Sequence, residues 1–116
     1  MNKFKVARGE SGGVPVLRLK GRLTIGEGSR DLRGTIADIA AEGHTYLLLD
    51  LGEVTYIDSS GLGAFISFLR KLNEKKGDLK LCGMSKQVRA VFELVRMHRI
   101  LDIYGTREEA VRAFHA

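Results

Sequence analysis

The start of the chain alternates between apolar and polar residues, which is the period of a β-strand. Val6 falls on the apolar face of a first strand, and Leu17 and Leu19 fall on the apolar face of a second. Arg8–Gly13 (RGESGG) between them is rich in turn residues, so the two strands predict a hairpin. Pro15 indicates either the beginning of the second strand or a sheet edge.

Four later segments repeat apolar residues with the spacing of an amphipathic helix. Gly43 and Gly77 are placed to end the first two helices, and Ser85 and Thr106 are placed as N-caps of the last two. Glu109, three residues after Thr106, completes a capping-box pattern. The predicted apolar stripes are Leu32, Ile36, Ile39 and Ala40; Leu62, Phe65, Ile66, Leu69 and Leu72; Val88, Val91, Phe92 and Val95; and Ala110, Ala113 and Phe114.

Three further strands lie between these helices. Thr45–Leu51 (TYLLLDL) is a continuous apolar run, which is typical of a central strand buried on both faces with parallel neighbours. DLKLCGM (78–84) and ILDIYG (100–105) supply the other two. The order β-β-α-β-α-β-α-β-α predicts one α/β domain over residues 1–116, with a mixed, mostly parallel sheet and helices packed on it.

Composition limits the class of protein. The chain has 116 residues and 44% apolar residues, which suits one ordinary globular domain. Its single cysteine excludes a disulfide within the chain and fits a reducing compartment. The start MNKFKVARGE has no signal-peptide pattern, and no apolar run is long enough to span a bilayer. We therefore expect a cytoplasmic protein without membrane insertion.

The charge balance adds little to this picture. There are 19 Lys and Arg residues against 14 Asp and Glu, a net charge of +5. Such a charge suits a nucleic acid, an anionic membrane face or an acidic partner. The basic residues are spread over nearly every predicted element and form no long block. We expect no stripe of basic residues and no nucleic-acid partner.

The segment YIDSSGLG (56–63) holds the candidate chemistry. It joins a buried strand to a helix, and function in open α/β sheets gathers at the carboxyl ends of strands. The unpaired N–H groups of a helix start also favour an anion. Four interpretations compete: capping by Asp58, Ser59 or Ser60; a catalytic serine; a phosphate-binding loop; or a serine that is itself modified.

A catalytic serine fits poorly. The nucleophile elbow reads G-x-S-x-G, but Ile57 stands two residues before Ser59, and Asp58 stands two residues before Ser60. A serine hydrolase also needs a base. The three histidines fall in a predicted turn, at a polar junction and near the end of the chain, at His44, His98 and His115. We therefore predict no catalytic residues.

Nucleotide and metal binding fit no better. Gly61 and Gly63 lack the third glycine of a dinucleotide fingerprint, and Gly26 and Gly28 are followed by Asp31 at that position. No P-loop pattern occurs. One cysteine and three dispersed histidines give no metal-binding spacing. We predict neither a cofactor nor a metal.

The same segment carries a family resemblance. LLLDLGEVTYIDSSGLGAF (47–65) resembles the signature of STAS domains, and in particular of bacterial anti-sigma factor antagonists. GDLKLCGMSKQVRAVFELV (77–95) and ILDIYGTREEAVRAF (100–114) are similar to the later strands and helices of that family. LKGRLTIGEG (19–28) resembles the early segment less tightly. The resemblance therefore covers nearly the whole chain.

The resemblance implies a switch built on Ser59. In that family the serine after the aspartate is phosphorylated by an ATP-binding serine kinase that is also an anti-sigma factor. The unphosphorylated antagonist binds this kinase and frees the sigma factor, and a PP2C-type phosphatase restores the unphosphorylated form. The exposed side of the 62–76 helix joins the docking surface. The implied partner-binding residues are Asp58, Ser60, Gly61, Leu62 and Gly63.

Two alternatives remain open. Small STAS subunits also accompany lipid-transport ABC systems, where they regulate the ATPase without phosphorylation. A basic nucleic-acid-binding protein would suit the charge, although the chain lacks the interleaved aromatics that such a surface uses. The first interpretation predicts a regulator that binds and is modified, with no enzymatic activity of its own. The oligomeric state stays open.

Overall fold

The computed structural model describes residues 4–24 and 27–115, without the side chains of residues 27 and 28. Gly26, the first glycine of the second Gly-x-Gly, lies outside the described residues. The strands are β1 (Lys5–Ser11), β2 (Val14–Leu23), β3 (Tyr46–Ile57), β4 (Asp78–Cys82) and β5 (Asp102–Tyr104). The helices are α1 (Glu27–Ala41), α2 (Ser59–Glu74), α3 (Lys86–Leu94) and α4 (Arg107–Phe114), with a 3₁₀ turn at Met97–Arg99.

The strands form one sheet in the order β1-β2-β3-β4-β5. β1 and β2 pair antiparallel as a hairpin, and all later neighbours pair parallel. Pro15 is the second residue of β2 and precedes Val16, where pairing with β3 begins, so no ladder donor to β3 is lost. The predicted element order and the mixed, mostly parallel sheet are confirmed.

The two faces of the sheet are covered unequally. α1, α2 and α3 pack on one face and enclose a large apolar cluster that includes Leu17, Leu49 and Phe65. α4 packs alone on the other face. The small cluster beneath α4 consists of Val14, Val16, Leu48, Cys82 and Ala110. Leu48 faces α4 while its two neighbours face the large cluster, as the alternation of a central strand requires.

β3 extends six residues beyond the predicted end at Leu51, and bulges explain the difference. Its register against β2 shifts twice, between Arg18 and Lys20 and again between Gly21 and Arg22. Each shift adds a residue to β3, so Leu51, Val54 and Ile57 all reach the large cluster at a spacing of three. The far half of β3 pairs with β2 alone and delivers the chain to the start of α2.

The predicted helix ends are confirmed, but Gly77 acts differently from Gly43. Gly43 has φ +95° and ends α1 in the left-handed conformation. After α2 that conformation falls on Lys76, at φ +62°. Gly77 is needed for space instead, because a Cβ there would lie 1.8 Å from the carbonyl oxygen of Thr45. Its N–H donates to the Leu72 carbonyl and completes the helix end.

The predicted N-caps of the last two helices are confirmed. Ser85 accepts a hydrogen bond from the N–H of Val88, and Thr106 accepts one from Glu109. The predicted apolar stripe of α3 is wrong at its last residue, Val95. The helix ends at Leu94, and Val95 is 51% exposed. In α4 the prediction holds fully for Ala110, whereas Ala113 and Phe114 are half-buried. No helix among residues 4–24 and 27–115 is long and apolar enough to cross a membrane.

The expectation that the basic residues form no stripe is wrong for β2. Arg18, Lys20 and Arg22 are exposed and alternate with the buried Leu17, Leu19 and Leu23. They therefore project from one side of the strand, on the α4 side of the sheet. The chain separates these cations by one residue each, so the linear sequence shows no block of charge even though the strand aligns them.

Candidate functional site

Asp58 organises the junction between β3 and α2. It is the N-cap of α2, in an extended backbone conformation, and its Oδ1 accepts a hydrogen bond of 3.0 Å from the Gly61 N–H. Its own N–H donates to the carbonyl oxygen of Leu23, the last residue of β2, at 3.3 Å. One residue thus ties the helix start to the ends of both central strands.

Ser60 hydrogen-bonds to Asp58 and does not itself cap the helix, so Asp58 is the cap among the three candidates. Its Oγ donates to Asp58 Oδ1 at 2.6 Å. This hydrogen bond, followed by those from the N–H groups of Gly61 and Ser60, holds the pKa of Asp58 below its ordinary value, although partial burial opposes the shift. Asp58 is therefore a fixed anion at neutral pH, with its carboxylate already engaged.

Ser59 is different from both neighbours. It is the first residue of α2 and is exposed. Among the described residues its hydroxyl has no side-chain or backbone hydrogen-bond partner. The positive end of the helix dipole lies at this position, which favours an added negative group. Ser59 thus offers the accessible hydroxyl of the pair.

The three residues after Ser60 divide between core and surface. Leu62 is only 3% exposed and belongs to the large cluster. Gly61 is buried, and a Cβ there would lie 3.1 Å from both the Cγ and the carbonyl oxygen of Leu23. Gly63 is exposed with open space around it. The buried Leu62 side chain and the absence of a side chain at Gly61 therefore let α2 pack closely on the sheet, and only Gly63 presents a surface.

The outer face of α2, defined as Ser59, Gly63, Ile66, Ser67 and Arg70, continues from this point. The spacing of three and four residues aligns them along the helix. Ile66 is half-buried, and the others are exposed. Gly63 adds no side chain, so the surface next to the Ser59 hydroxyl is low and open.

The geometry does not assemble a hydrolytic site around either serine. His44 precedes β3, while Ser59 follows its far end, so the length of this 12-residue strand separates them. His115 contacts the carbonyl oxygen of Gly12 at 2.8 Å. Within the described part of the chain, no histidine hydrogen-bonds to either serine, so the base that a catalytic serine requires is missing from the arrangement.

Comparison with known proteins agrees with the fold. The family model for the STAS domain matches residues 5–110. The chain belongs to the STAS domain family. In this STAS domain the matched region contains all five strands, α1 to α3 and the Ser59 junction.

Several proteins similar to this STAS domain are named anti-sigma factor antagonists. BtrV of Bordetella bronchiseptica, provisionally named an anti-sigma factor antagonist, is 36% identical over 81 residues, covering 67% of this chain and 70% of BtrV. An anti-sigma factor antagonist from Mycobacterium paratuberculosis has a TM-score of 0.87 at 20% identity, covering 98% of this chain and 96% of that one. SpoIIAA of Bacillus, solved in its phosphorylated form, has a TM-score of 0.71 at 24% identity, covering 96% and 98%. The last two show a shared fold.

Sequence reasoning missed one feature beside the site. Arg22 and Tyr56 are register partners near the ends of β2 and β3. The Arg22 guanidinium carbon lies 4.2 Å from the centre of the Tyr56 ring. The pair joins two strands far apart in sequence, so no local pattern points to it. The one signal in the sequence is position: Arg22 directly precedes Leu23, the last residue of β2, and Tyr56 lies two residues before Asp58.

Proposed function

We propose that this STAS domain is an anti-sigma factor antagonist whose binding is switched by phosphorylation of Ser59. Unphosphorylated, it binds an ATP-dependent serine kinase that also acts as an anti-sigma factor. Phosphorylated, it is released, and a PP2C-type phosphatase restores the binding form. The protein acts in the cytoplasm as a binding partner and kinase substrate, without catalysis of its own.

The observation that carries this proposal is the unequal state of the two serines. Ser60 is engaged, since its hydroxyl donates 2.6 Å to Asp58. Ser59 is exposed and has no such partner among the described residues. A kinase therefore reaches the Ser59 hydroxyl without dismantling the helix cap. The names of the relatives, and a phosphorylated form of SpoIIAA, support the same assignment.

A phosphate at Ser59 changes charge more than shape. It adds about −1.5 to −2 charge at neutral pH, next to the Asp58 carboxylate. The start of α2 stabilises that charge in the free protein. A partner packed flat on Ser59 and Gly63 would instead have to remove water from it, which is costly without compensating hydrogen bonds. Asp58 and Ser60 hold the start of α2 at this docking surface through the helix cap and its hydrogen bond. Gly61 and Leu62 pack the same turn against the sheet.

Site-localised phosphorylation tests the assignment. The kinase that binds wild-type protein is purified and incubated with ATP and with Ser59→Ala, Ser60→Ala or Ser67→Ala, the last being an exposed serine elsewhere on α2. We expect mass spectrometry to find phosphate on Ser59 in the wild-type, Ser60→Ala and Ser67→Ala proteins, and none on Ser59→Ala. Phosphate confined to Ser60 or Ser67 would overturn the assignment.

Binding tests the switch itself. We expect Ser59→Ala to bind the kinase about as tightly as wild type, since it removes only a small polar group. Ser59→Asp adds part of the repulsive charge and should bind about 5–150-fold more weakly, the usual range of such couplings. Isothermal titration measures both. Wild-type affinity in Ser59→Asp together with unimpaired binding of the phosphorylated protein would contradict the switch.

A further inference from the structure

A basic patch lies on the open side of the sheet. We define the basic sheet face as Arg18, Lys20 and Arg22 of β2 together with Lys5 of β1, which is the register partner of Lys20. All four are exposed. α4 covers only the opposite end of β2, where Val14 and Val16 lie in its small cluster. The charged half of this face therefore meets solvent directly.

The charges of this face are poorly neutralised within the molecule. Among residues 4–24 and 29–115, whose side chains the structure describes, no carboxylate lies within ion-pair distance of Lys5, Arg18 or Arg22. Lys20 reaches Glu53 only at 4.0 Å, with both side chains 65% exposed, so that pair is weak. Two cations, Lys5 and Lys20, stand directly opposite each other. A cross-strand pair of like charges is unfavourable for folding, so it has no structural benefit to explain it.

The face reaches the edge of the switch site. Arg22 pairs with Tyr56, and Leu23 pairs with Ile57, the residue before Asp58. Tyr56 is 42% exposed and holds the Arg22 guanidinium over its ring. Arg22 and Ser59 therefore lie at the same end of β2 and β3, with Arg22 on the α4 side of the sheet and α2 on the other, so a partner that extends over the strand ends would contact both.

We propose that the kinase partner of this protein also contacts the basic sheet face, using an acidic patch of its own. The inference rests on the proposed function, because it extends the docking surface around Ser59. A stable interface takes about 20–30 residues a side, which the start of α2 cannot supply alone. Tyr and Arg are the residue types that most often dominate binding energy, and Arg22 on Tyr56 is such a pair beside the site. Charge complementarity assigns acidic residues to the partner.

A protein partner fits this face better than a nucleic acid. Single-stranded nucleic acids bind through bases stacked on free aromatic rings. The ring beside the stripe, Tyr56, is already occupied by the Arg22 guanidinium at 4.2 Å. An acidic partner also strengthens the switch, because its carboxylates repel the phosphate added at Ser59 as well as attracting Arg22 when that phosphate is absent.

Charge reversal tests the contact. Arg22→Glu and Arg18→Glu are titrated against the purified kinase at low and physiological salt, with Arg33→Glu, at an exposed position of α1 outside the basic sheet face, as the matched control. We expect Arg22→Glu to weaken binding about tenfold or more, mainly through slower association, with a reduced dependence on salt. Arg33→Glu should stay within about twofold of wild type. Equal affinities and equal salt dependence for Arg22→Glu and Arg33→Glu would overturn the inference.

Two controls separate this inference from the proposed function. If the kinase binds and phosphorylates Ser59 in both wild-type and Arg22→Glu proteins with the same affinity, the docking inference fails and the switch stands. If no kinase binds wild-type protein, both fail together. A labelled single-stranded oligonucleotide is titrated in parallel. Sub-micromolar binding at physiological salt that Arg22→Glu abolishes would assign the face to nucleic acid and overturn the acidic partner.

Discussion

The two faces of the sheet differ in how much apolar packing they carry. One face lies under α1, α2 and α3 and carries the large apolar cluster. The other has only the eight residues of α4 and a small cluster, and beyond them β2 shows Arg18, Lys20 and Arg22 to solvent. The same strand therefore contributes to the core on one side and to a charged surface on the other. A surface with little packing to preserve tolerates the charges that a partner recognises.

β2 shows in its own sequence how this division arises. Leu17, Leu19 and Leu23 continue the apolar row toward α1 and α2. On the opposite row Val16 is the last apolar residue, and Arg18 is the first cation. One strand is thus fully buried where α4 covers it and half-exposed where α4 does not.

Removing an aromatic ring from each face should give the clearest contrast. Phe65 is fully buried, with its ring stacked 6.0 Å from that of Phe92, so Phe65→Ala should lower the free energy of unfolding by about 3–5 kcal/mol. Phe114 is half-buried on the α4 side, so Phe114→Ala should cost only about 1–2 kcal/mol. Urea denaturation measures both. Equal losses would show that the α4 side supports the fold as strongly as the three-helix side.

Two glycines in one helix sharpen the contrast between packing and recognition. Gly61→Ala places a methyl 3.0–3.1 Å from Ile57 and Leu23, so we expect a loss of about 1–3 kcal/mol. Gly63→Ala meets open space and should stabilise α2 by about 0.5–1 kcal/mol through helix propensity. If Gly63 lies under the partner, the stabilised variant should still bind the kinase more weakly than wild type. Thermal melts measure the stability of both variants, and titration measures their binding to the kinase. Unchanged binding of Gly63→Ala would show that Gly63 lies outside the interface.

The Asp58 cap should contribute a smaller, pH-dependent share. Asp58→Ala should cost about 1 kcal/mol at neutral pH, as is typical of a lost N-cap. The pKa of Asp58 is lowered below its ordinary value of 3.8, so its charged form stabilises the fold above that pH and loses this effect as the pH falls through the lowered pKa. The difference between wild type and Asp58→Ala should therefore shrink in acid. A difference that grows below pH 4 would contradict the assignment, and Asp58→Asn, which keeps a cap without charge, is the control.

Charge changes on the open face should affect stability least. Lys20→Glu removes the repulsion from Lys5 and also the weak pair with Glu53, so we expect a change within about 0.5 kcal/mol. Denaturation of Lys20→Glu beside wild type measures it. A loss above about 1.5 kcal/mol would mean that this face has a structural role, and the docking inference would lose its basis.

The sequence predicted the periodic elements and missed what depends on pairing between strands. The stripes of α1 and α2, the caps at Ser85 and Thr106, and the turn at Gly43 follow local rules, and the structure confirms them. The end of β3 does not follow a local rule. Two bulges space its buried residues three apart, which matches neither the period of a strand nor that of a helix. The Arg22–Tyr56 pair depends on strand register, which local patterns do not specify.

The candidate site was predicted as a cluster but not in its division of roles. Asp58, Ser59 and Ser60 were placed correctly at a helix start after a buried strand. Sequence alone does not say which of three neighbouring polar residues caps a helix, because all three types are good caps. The apolar stripe of α2 did predict that Leu62 faces the core, and its exposure of 3% confirms this.

The position of Cys82 gives the protein a built-in reporter of its own opening. It is the only cysteine of the chain and is 1% exposed in the small cluster under α4. Burial, followed by the nearby charge of Asp50, raises the pKa of its thiol to about 12, so the folded form reacts slowly with thiol reagents. The labelling rate at Cys82 therefore measures how often α4 detaches or the sheet opens. In an Arg33→Cys variant, only the new cysteine is exposed and would take a dye, so fluorescence can report binding of the kinase without removing Cys82.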